Sequence, residues 1–126
     1  MNIFLIEDDE LLLKTVEYKL KKNGFSVETA KNGYDAIEYL KVNKPDLIVT
    51  DIMMPFINGL EIVSHVRNVL KSNTPIIVLS SAGLEKTVLE AFELGADDFI
   101  TKPFSPNELI IRINKNLISR KMTANK

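Results

Sequence analysis

Short continuous apolar runs alternate along this chain with stretches whose apolar residues recur at helical spacing, and that alternation restricts the fold more than any other feature. The runs are Ile3-Phe4-Leu5-Ile6, Leu47-Ile48-Val49 and Ile76-Ile77-Val78-Leu79, with weaker ones at Ser26–Ala30 and Asp98–Thr101. Runs of this length, rich in Val and Ile, read as strands buried on both faces. Between them Leu12, Val16 and Leu20 stand four apart, as do Leu84, Val88 and Phe92, and Leu109, Ile113 and Leu117. Each set lines one face of a helix, and a further helix is predicted over Gly59–Leu70. Gly24 and Gly95 follow two of these stretches where a left-handed stop is expected. Ser105-Pro106 with Glu108 has the layout of a capped helix start. Strict alternation of strand and helix favours a parallel sheet covered on both sides. The expected fold is α/β: a doubly wound five-stranded parallel sheet flanked by five helices.

Composition narrows the chemistry. The 126 residues carry 16 basic and 17 acidic side chains, a formal charge of −1, which suits one globular domain. There is no Cys and only one His, which excludes disulfides, thiol catalysis, Fe–S clusters and cysteine zinc sites and leaves no basis for a His-based metal site or a Ser-His-Asp triad. The near-neutral balance lacks the basic footprint of direct nucleic-acid binding. No apolar run reaches the roughly 20 residues of a membrane span, and Met1-Asn2-Ile3 leads into a strand without a signal-peptide layout. A cytoplasmic location with no membrane contact is the expectation. Ser119–Lys126 reads as a loose tail.

In open parallel sheets, ligands bind outside the carboxyl ends of the strands. After the first strand comes Glu7-Asp8-Asp9-Glu10; after the third, Thr50-Asp51; after the fourth, Ser80-Ser81; after the fifth, Thr101-Lys102-Pro103. Each alone has an ordinary reading, as a turn residue, a helix cap, an acid at a helix start or a solvated lysine. Together they crowd carboxylates onto one sheet edge, where mutual repulsion calls for a cation. Glu7, Asp8 and Asp51 offer hard oxygen donors, and a backbone carbonyl with waters would complete an octahedron around Mg2+. A phosphoryl group beside such an ion would meet the Ser80 hydroxyl and the Lys102 ammonium, with Asp51 placed to attack phosphorus in line.

These residues resemble the receiver domain of two-component response regulators. The resemblance runs from Ile3-Phe4-Leu5-Ile6-Glu7-Asp8-Asp9-Glu10, through Pro45–Pro55 and Asn58-Gly59, to Gly95–Phe104, three segments in order at the expected spacing. It implies a flavodoxin-like receiver fold over residues 1–120, with 121–126 as a basic tail or linker stub. Asp51 would be the phosphoacceptor, and Glu7 and Asp8 the acidic pair that holds Mg2+, with Mn2+ as a substitute and the Met53 backbone carbonyl completing the ligands. Ser80 would be the switch hydroxyl, Lys102 the phosphoryl contact and Phe99 the aromatic that turns inward on activation. The Lys102-Pro103 peptide would be cis. The partner would be a histidine kinase or histidine phosphotransfer protein. The domain would catalyse only its own phosphorylation and dephosphorylation, and would switch the face formed by the fourth helix, fifth strand and fifth helix.

Some positions depart from the family pattern. Ser80 stands for the commoner Thr and loses the methyl that stiffens χ1. Ser81 stands where Ala or Gly is usual. Met53 and Ala82, two residues beyond the acceptor and the switch hydroxyl, carry no group that orients a water, so a long-lived phosphoaspartate is expected. The last third is most similar to receivers of winged-helix transcription factors, in which charged pairs join a phosphorylation-dependent homodimer. Asp98 with Arg112 is one candidate pair, while Val88 stands where a basic residue is common. His65 reads as a helix-surface residue rather than a phosphodonor, and Phe4, Phe25, Phe92 and Tyr39 as packing residues. A flavodoxin-like cofactor binder shares the fold, but Glu7–Glu10 would repel a flavin phosphate. A Mg2+-dependent phosphatase would need a second Asp where Met53 stands. A receiver acting only as an interaction module would not need the complete acidic and basic set found here.

Overall fold

Five parallel strands form one sheet in the order β2-β1-β3-β4-β5. The computed structural model describes residues 1–124. The strands are β1 (Asn2–Ile6), β2 (Ser26–Ala30), β3 (Leu47–Asp51), β4 (Ile76–Ser81) and β5 (Asp98–Lys102). The helices are α1 (Glu10–Lys22), α2 (Gly33–Val42), α3 (Gly59–Ser64), α4 (Glu85–Leu94) and α5 (Pro106–Ala124), and α3 runs on into a π-helical turn at His65–Val69.

Alternation along the strands divides the core into two layers, because successive side chains point to opposite faces. Phe4, Ile6, Ile48, Ile76 and Val78 pack against Ala36 and Leu40 of α2, Ile62 and Val63 of α3, and Val88 and Ala91 of α4. Ile3, Leu5, Leu47, Val49, Ile77, Leu79 and Ile100 face Leu13, Val16 and Leu20 of α1 and Leu109 and Ile113 of α5. Every residue of β3 is buried. The outer strands are not buried on both faces as expected: in β2 only Val27 and Ala30 are covered, because an edge strand has one neighbour and one packed side.

Helix ends follow the sequence closely. Gly24 and Gly95 adopt φ of +93° and +116°, and Ser105 Oγ accepts from the Glu108 N–H at 3.1 Å. Two buried stripes hold only in part. In α1 Val16 and Leu20 are buried as expected and Leu13 joins them, while Leu12 packs partly buried on the same layer; in α4 Val88 is buried with Ala91, while Leu84 stands at the N-cap position and Phe92 is 39% exposed. A period of four alone drifts around a 3.6-residue turn, so a stripe extended that way slides off the core. Phe4 does pack, stacked on Tyr39 at 4.2 Å, and Phe25 lies partly buried against the α1 layer. The final helix continues through Ala124, so Ser119 is not the start of a loose tail. Asn125 and Lys126, the end of the expected basic stub, lie outside the described residues.

The expected single helix over Gly59–Leu70 is instead split, and Arg67 gives the reason. Its guanidinium donates to the carbonyls of Gly95 (3.0 Å), Ser72 (2.9 Å) and Thr74 (2.8 Å) and to Asp97 Oδ2 (2.9 Å). Asp97 in turn accepts from the Ile76 N–H and from Arg120. The wider π turn accompanies this reach while Val66 stays in the core. Burial pulls the Arg67 pKa down against the opposing charge of Asp97.

Asn58-Gly59 has a geometric cause. Asn58 caps α3, its side chain accepting from the Glu61 N–H at 2.9 Å. Gly59 lies flat against the end of β3, its N–H donating to the Ile52 carbonyl at 2.8 Å, and a Cβ there would overlap the Asp51 carbonyl oxygen and the Ile52 Cα. Backbone cannot yield as a flexible side chain does, so Gly59→Ala is expected to cost about 1–3 kcal/mol. A lowered urea midpoint at unchanged slope checks this; an unchanged midpoint contradicts it.

Candidate functional site

The strand order reverses between β1 and β3: one leads outward to β2, the other to β4. Their carboxyl ends are therefore neighbours with a crevice outside them, where ligands of doubly wound sheets bind. Glu7 and Asp8 follow β1, and Asp51 ends β3. Carboxylate oxygens of Glu7, Asp8 and Asp51 lie within 4.8 Å of one another. From the last residue of β5, Lys102 Nζ donates to Asp51 Oδ2 at 3.1 Å and to Glu7 Oε1 at 3.1 Å. The Lys102-Pro103 peptide is cis, as the resemblance implied.

The four consecutive acids divide into separate tasks. Asp9 caps α1, accepting from the Leu12 N–H at 3.2 Å. Glu10 pairs with Lys31 at 2.8 Å, which holds its carboxyl below the usual range. Glu7 turns inward and is 1% exposed, while Asp8 remains at the surface. Of the four, only Glu7 and Asp8 join Asp51.

Three carboxylates against one ammonium leave the cluster short of positive charge. Burial, and next the charge of Asp51, push Glu7 up to about 7 despite Lys102. Burial also raises Asp51, which is 5% exposed; Lys102 opposes the rise, Asp8 adds to it and the Met53 N–H favours the charged form. Burial disfavours the Lys102 ammonium, but its bond to Glu7 and the charges of Asp51 and Glu7 outweigh that and raise its pKa. Glu7 Oε2 is the clearest sign of a missing partner. It is buried without a hydrogen bond, although Lys102 Nζ stands 3.0 Å away outside bonding geometry. A cluster of hard oxygens with a surplus negative charge and an orphaned buried oxygen suits a small divalent cation such as Mg2+.

Ser80 and Phe99 lie on the adjoining strands. Asp51 pairs with Leu79 across β3 and β4, which puts Ser80 one residue further toward the crevice. Ser80 is buried, and its hydroxyl donates to the Ser81 carbonyl at 3.3 Å. A cavity of about 400 Å³ separates β4 and β5 from α4, lined by Ser80, Val88, Phe92, Phe99 and Thr101 among others. Phe99 is partly exposed and meets Phe92 edge to face at 6.0 Å.

Two surface readings change. Asp98 and Arg112 pair within the chain at 2.7 Å, with Asn116 donating to the other carboxylate oxygen; β5 and α5 are adjacent, so the bond closes inside one molecule. His65 is half-buried rather than fully on the surface, and its Nε2 is enclosed without a hydrogen-bond partner at the start of the π turn. It lies outside the acidic cluster. The Arg67–Asp97–Arg120 network had no motif to announce it: Asp97 is visible only as half of an Asp-Asp pair, and Arg67 as one cation among others.

A model of the response regulator receiver domain family matches residues 3–114. Among solved structures, the Francisella response regulator 1452 receiver domain is 32% identical, with a TM-score of 0.86 over 94% of this chain and 98% of that one. A putative response regulator from Chloroflexus aurantiacus is 30% identical, with a TM-score of 0.86 over 93% and 97% of the two chains. Full-length FixJ from B. japonicum is 26% identical, with a TM-score of 0.90 over 98% of this chain and 61% of that one. No helix among the described residues is long and apolar enough to cross a membrane.

The raised Glu7 pKa fixes a sign for stability. A carboxyl that titrates near 7 folded and near 4.5 unfolded contributes stability below about pH 4.5 that is lost as the pH rises through about 7. Without divalent cations, Glu7→Gln should therefore gain on wild type as the pH climbs from 5 to 8, by an amount on the order of 1–3 kcal/mol. Urea titrations across that range check this; a difference independent of pH contradicts it.

Proposed function

The chain belongs to the response regulator receiver domain family, and from that premise we propose that Asp51 accepts a phosphoryl group from the phosphohistidine of a partner histidine kinase or histidine phosphotransfer protein. The observation that carries this reading is the Lys102 ammonium bridging Asp51 and Glu7 inside a three-carboxylate cluster. In the transfer, an Asp51 oxygen bonds to phosphorus as the phosphorus–nitrogen bond to the donor imidazole breaks, and the imidazole leaves with that electron pair. Asp51 is held in place by the Lys102 ammonium and by Gly59 packed beneath its carbonyl. Lys102 neutralises one phosphoryl oxygen, and the Ser80 hydroxyl donates to another.

Glu7, Asp8 and Asp51, with the Met53 carbonyl, would hold Mg2+, for which Mn2+ can substitute; the ion supplies charge neutralisation at the phosphoryl oxygens. After transfer, Ser80 exchanges its bond to the Ser81 carbonyl for one to the phosphoryl group, and Phe99 moves into the cavity it shares with Ser80. The face of α4, β5 and α5 is the output, a two-state element biased by one new charge. A phosphorylation-dependent homodimer across that face belongs to this reading, but Asp98–Arg112 is already engaged within the chain. The domain is a signalling element that acts on its own phosphorylation and dephosphorylation and needs no direct contact with nucleic acid or membrane.

Incubation with Mg2+ and acetyl phosphate, read by intact mass, should add one phosphoryl group to the wild type and none to Asp51→Asn. Lys102→Ala should slow the reaction by about 10²–10³-fold, the usual cost of removing a group that meets developing charge. Once the donor is removed, the adduct should outlast those of chemotaxis-type receivers, because Met53 and Ala82 orient no water. No adduct on wild type, or one surviving in the Asn variant, contradicts the assignment.

A further inference from the structure

We propose that Phe56, at the tip of the loop joining β3 to α3, is a specificity contact for the protein that donates the phosphoryl group. The inference rests on the phosphoacceptor reading above and adds a residue that the chemistry does not use. Phe56 has φ of +67°, a left-handed backbone conformation that Gly or Asn adopts readily and an aromatic residue rarely does. Its side chain is 86% exposed, and no hydrogen bond, ion pair or ring contact holds it among the described residues. A residue buried in the core could offset such strain by packing. Here no packing of that kind exists among the described residues, since the ring stands in solvent, and such an outlier beside a reaction centre points to a role outside the fold.

Its position says which role. The loop is closed at its base, where the Gly59 N–H bonds to the Ile52 carbonyl next to Asp51. Six residues, Met53 to Asn58, lie between those ends, so the tip stands at most about 10 Å from the base. Asp51 is almost fully buried, so a donor imidazole reaches it only if the partner's surface closes over the crevice. A standard interface covers about 800 Å² on each partner, a disc of about 16 Å radius. Centred on Asp51, that footprint takes in Phe56. Two further apolar side chains extend the same rim. Met53 is 58% exposed, and Tyr34 is 61% exposed at the start of α2, where Gly33 packs directly on Ile57 of the loop. These side chains give the rim an apolar arc beside the acidic centre, and exposed aromatics are among the side chains that most often anchor protein contacts. The occupant is the phosphodonor protein, through an apolar patch flanking its histidine.

The test separates recognition from chemistry. A panel of autophosphorylated histidine kinases and phosphorylated histidine phosphotransfer proteins is assayed for transfer to wild type, and the fastest donor is used with Phe56→Asn and Phe56→Tyr. With that donor, Phe56→Asn should lose roughly tenfold or more in transfer rate, as loss of one aromatic anchor typically does, and Phe56→Tyr should keep most of the rate. With acetyl phosphate all three proteins should react equally, and Phe56→Asn should melt no lower than wild type. Equal transfer rates for wild type and Phe56→Asn overturn the proposal, as does a parallel loss with acetyl phosphate, which would make Phe56 a prop for Asp51. Wild type that takes phosphoryl from acetyl phosphate but from no panel member also counts against it. Failure of wild type with acetyl phosphate instead overturns the phosphoacceptor reading itself.

Discussion

The Lys102 ammonium holds two buried carboxylates that reach it from different strands, and the site is arranged around that bridge. Glu7 arrives from β1, Asp51 from β3 and Lys102 from β5, at nearly equal 3.1 Å separations. Without the ammonium, two acids buried side by side would repel and one would neutralise by taking a proton. With it, the pair is held but undercompensated, since Asp8 adds a third carboxylate and Glu7 Oε2 finds no hydrogen bond. That imbalance is useful. In the proposed reading it leaves a seat for added positive charge and sets the Asp51 carboxylate beside an ammonium able to neutralise a phosphoryl group.

The fold makes the bridge possible at little local cost. Parallel strands bring their carboxyl ends to one edge, and the reversal of order between β1 and β3 opens the crevice there. Gly59 lets α3 start directly against the Asp51 backbone. At the opposite end of the sheet, Arg67 and Asp97 tie the π turn, the start of β4 and the end of α4 together. The charged groups at that end are paired with one another, whereas the acidic edge keeps a surplus of carboxylate, and an unbalanced edge is where chemistry is expected.

Much of this was legible in the chain. The three central strands were visible because such parallel strands must be apolar on both faces, and the carboxylates because each stands at or just past a strand's carboxyl end. What stayed hidden has physical reasons. The roles of Glu7, Asp9 and Glu10 depend on which way each side chain turns as α1 begins, and adjacency does not encode that. In α4, spacing by four does not track the helical turn, so Val88 is buried as expected but Phe92, read as a packing residue on the same face, stands on the rim. The π turn follows from one arginine reaching carbonyls up to 28 positions away. The Asp98–Arg112 pair was visible as two opposite charges, but only the packing of α5 on β5 shows that it closes within one chain.

Chemical trapping tests the central claim most directly. Borohydride reduces an aspartyl phosphate to homoserine, and peptide sequencing by mass then locates the converted residue. After phosphorylation in Mg2+, homoserine should be found at position 51 alone. Conversion at Asp8, or no conversion in protein that carries a phosphoryl group, would contradict the account.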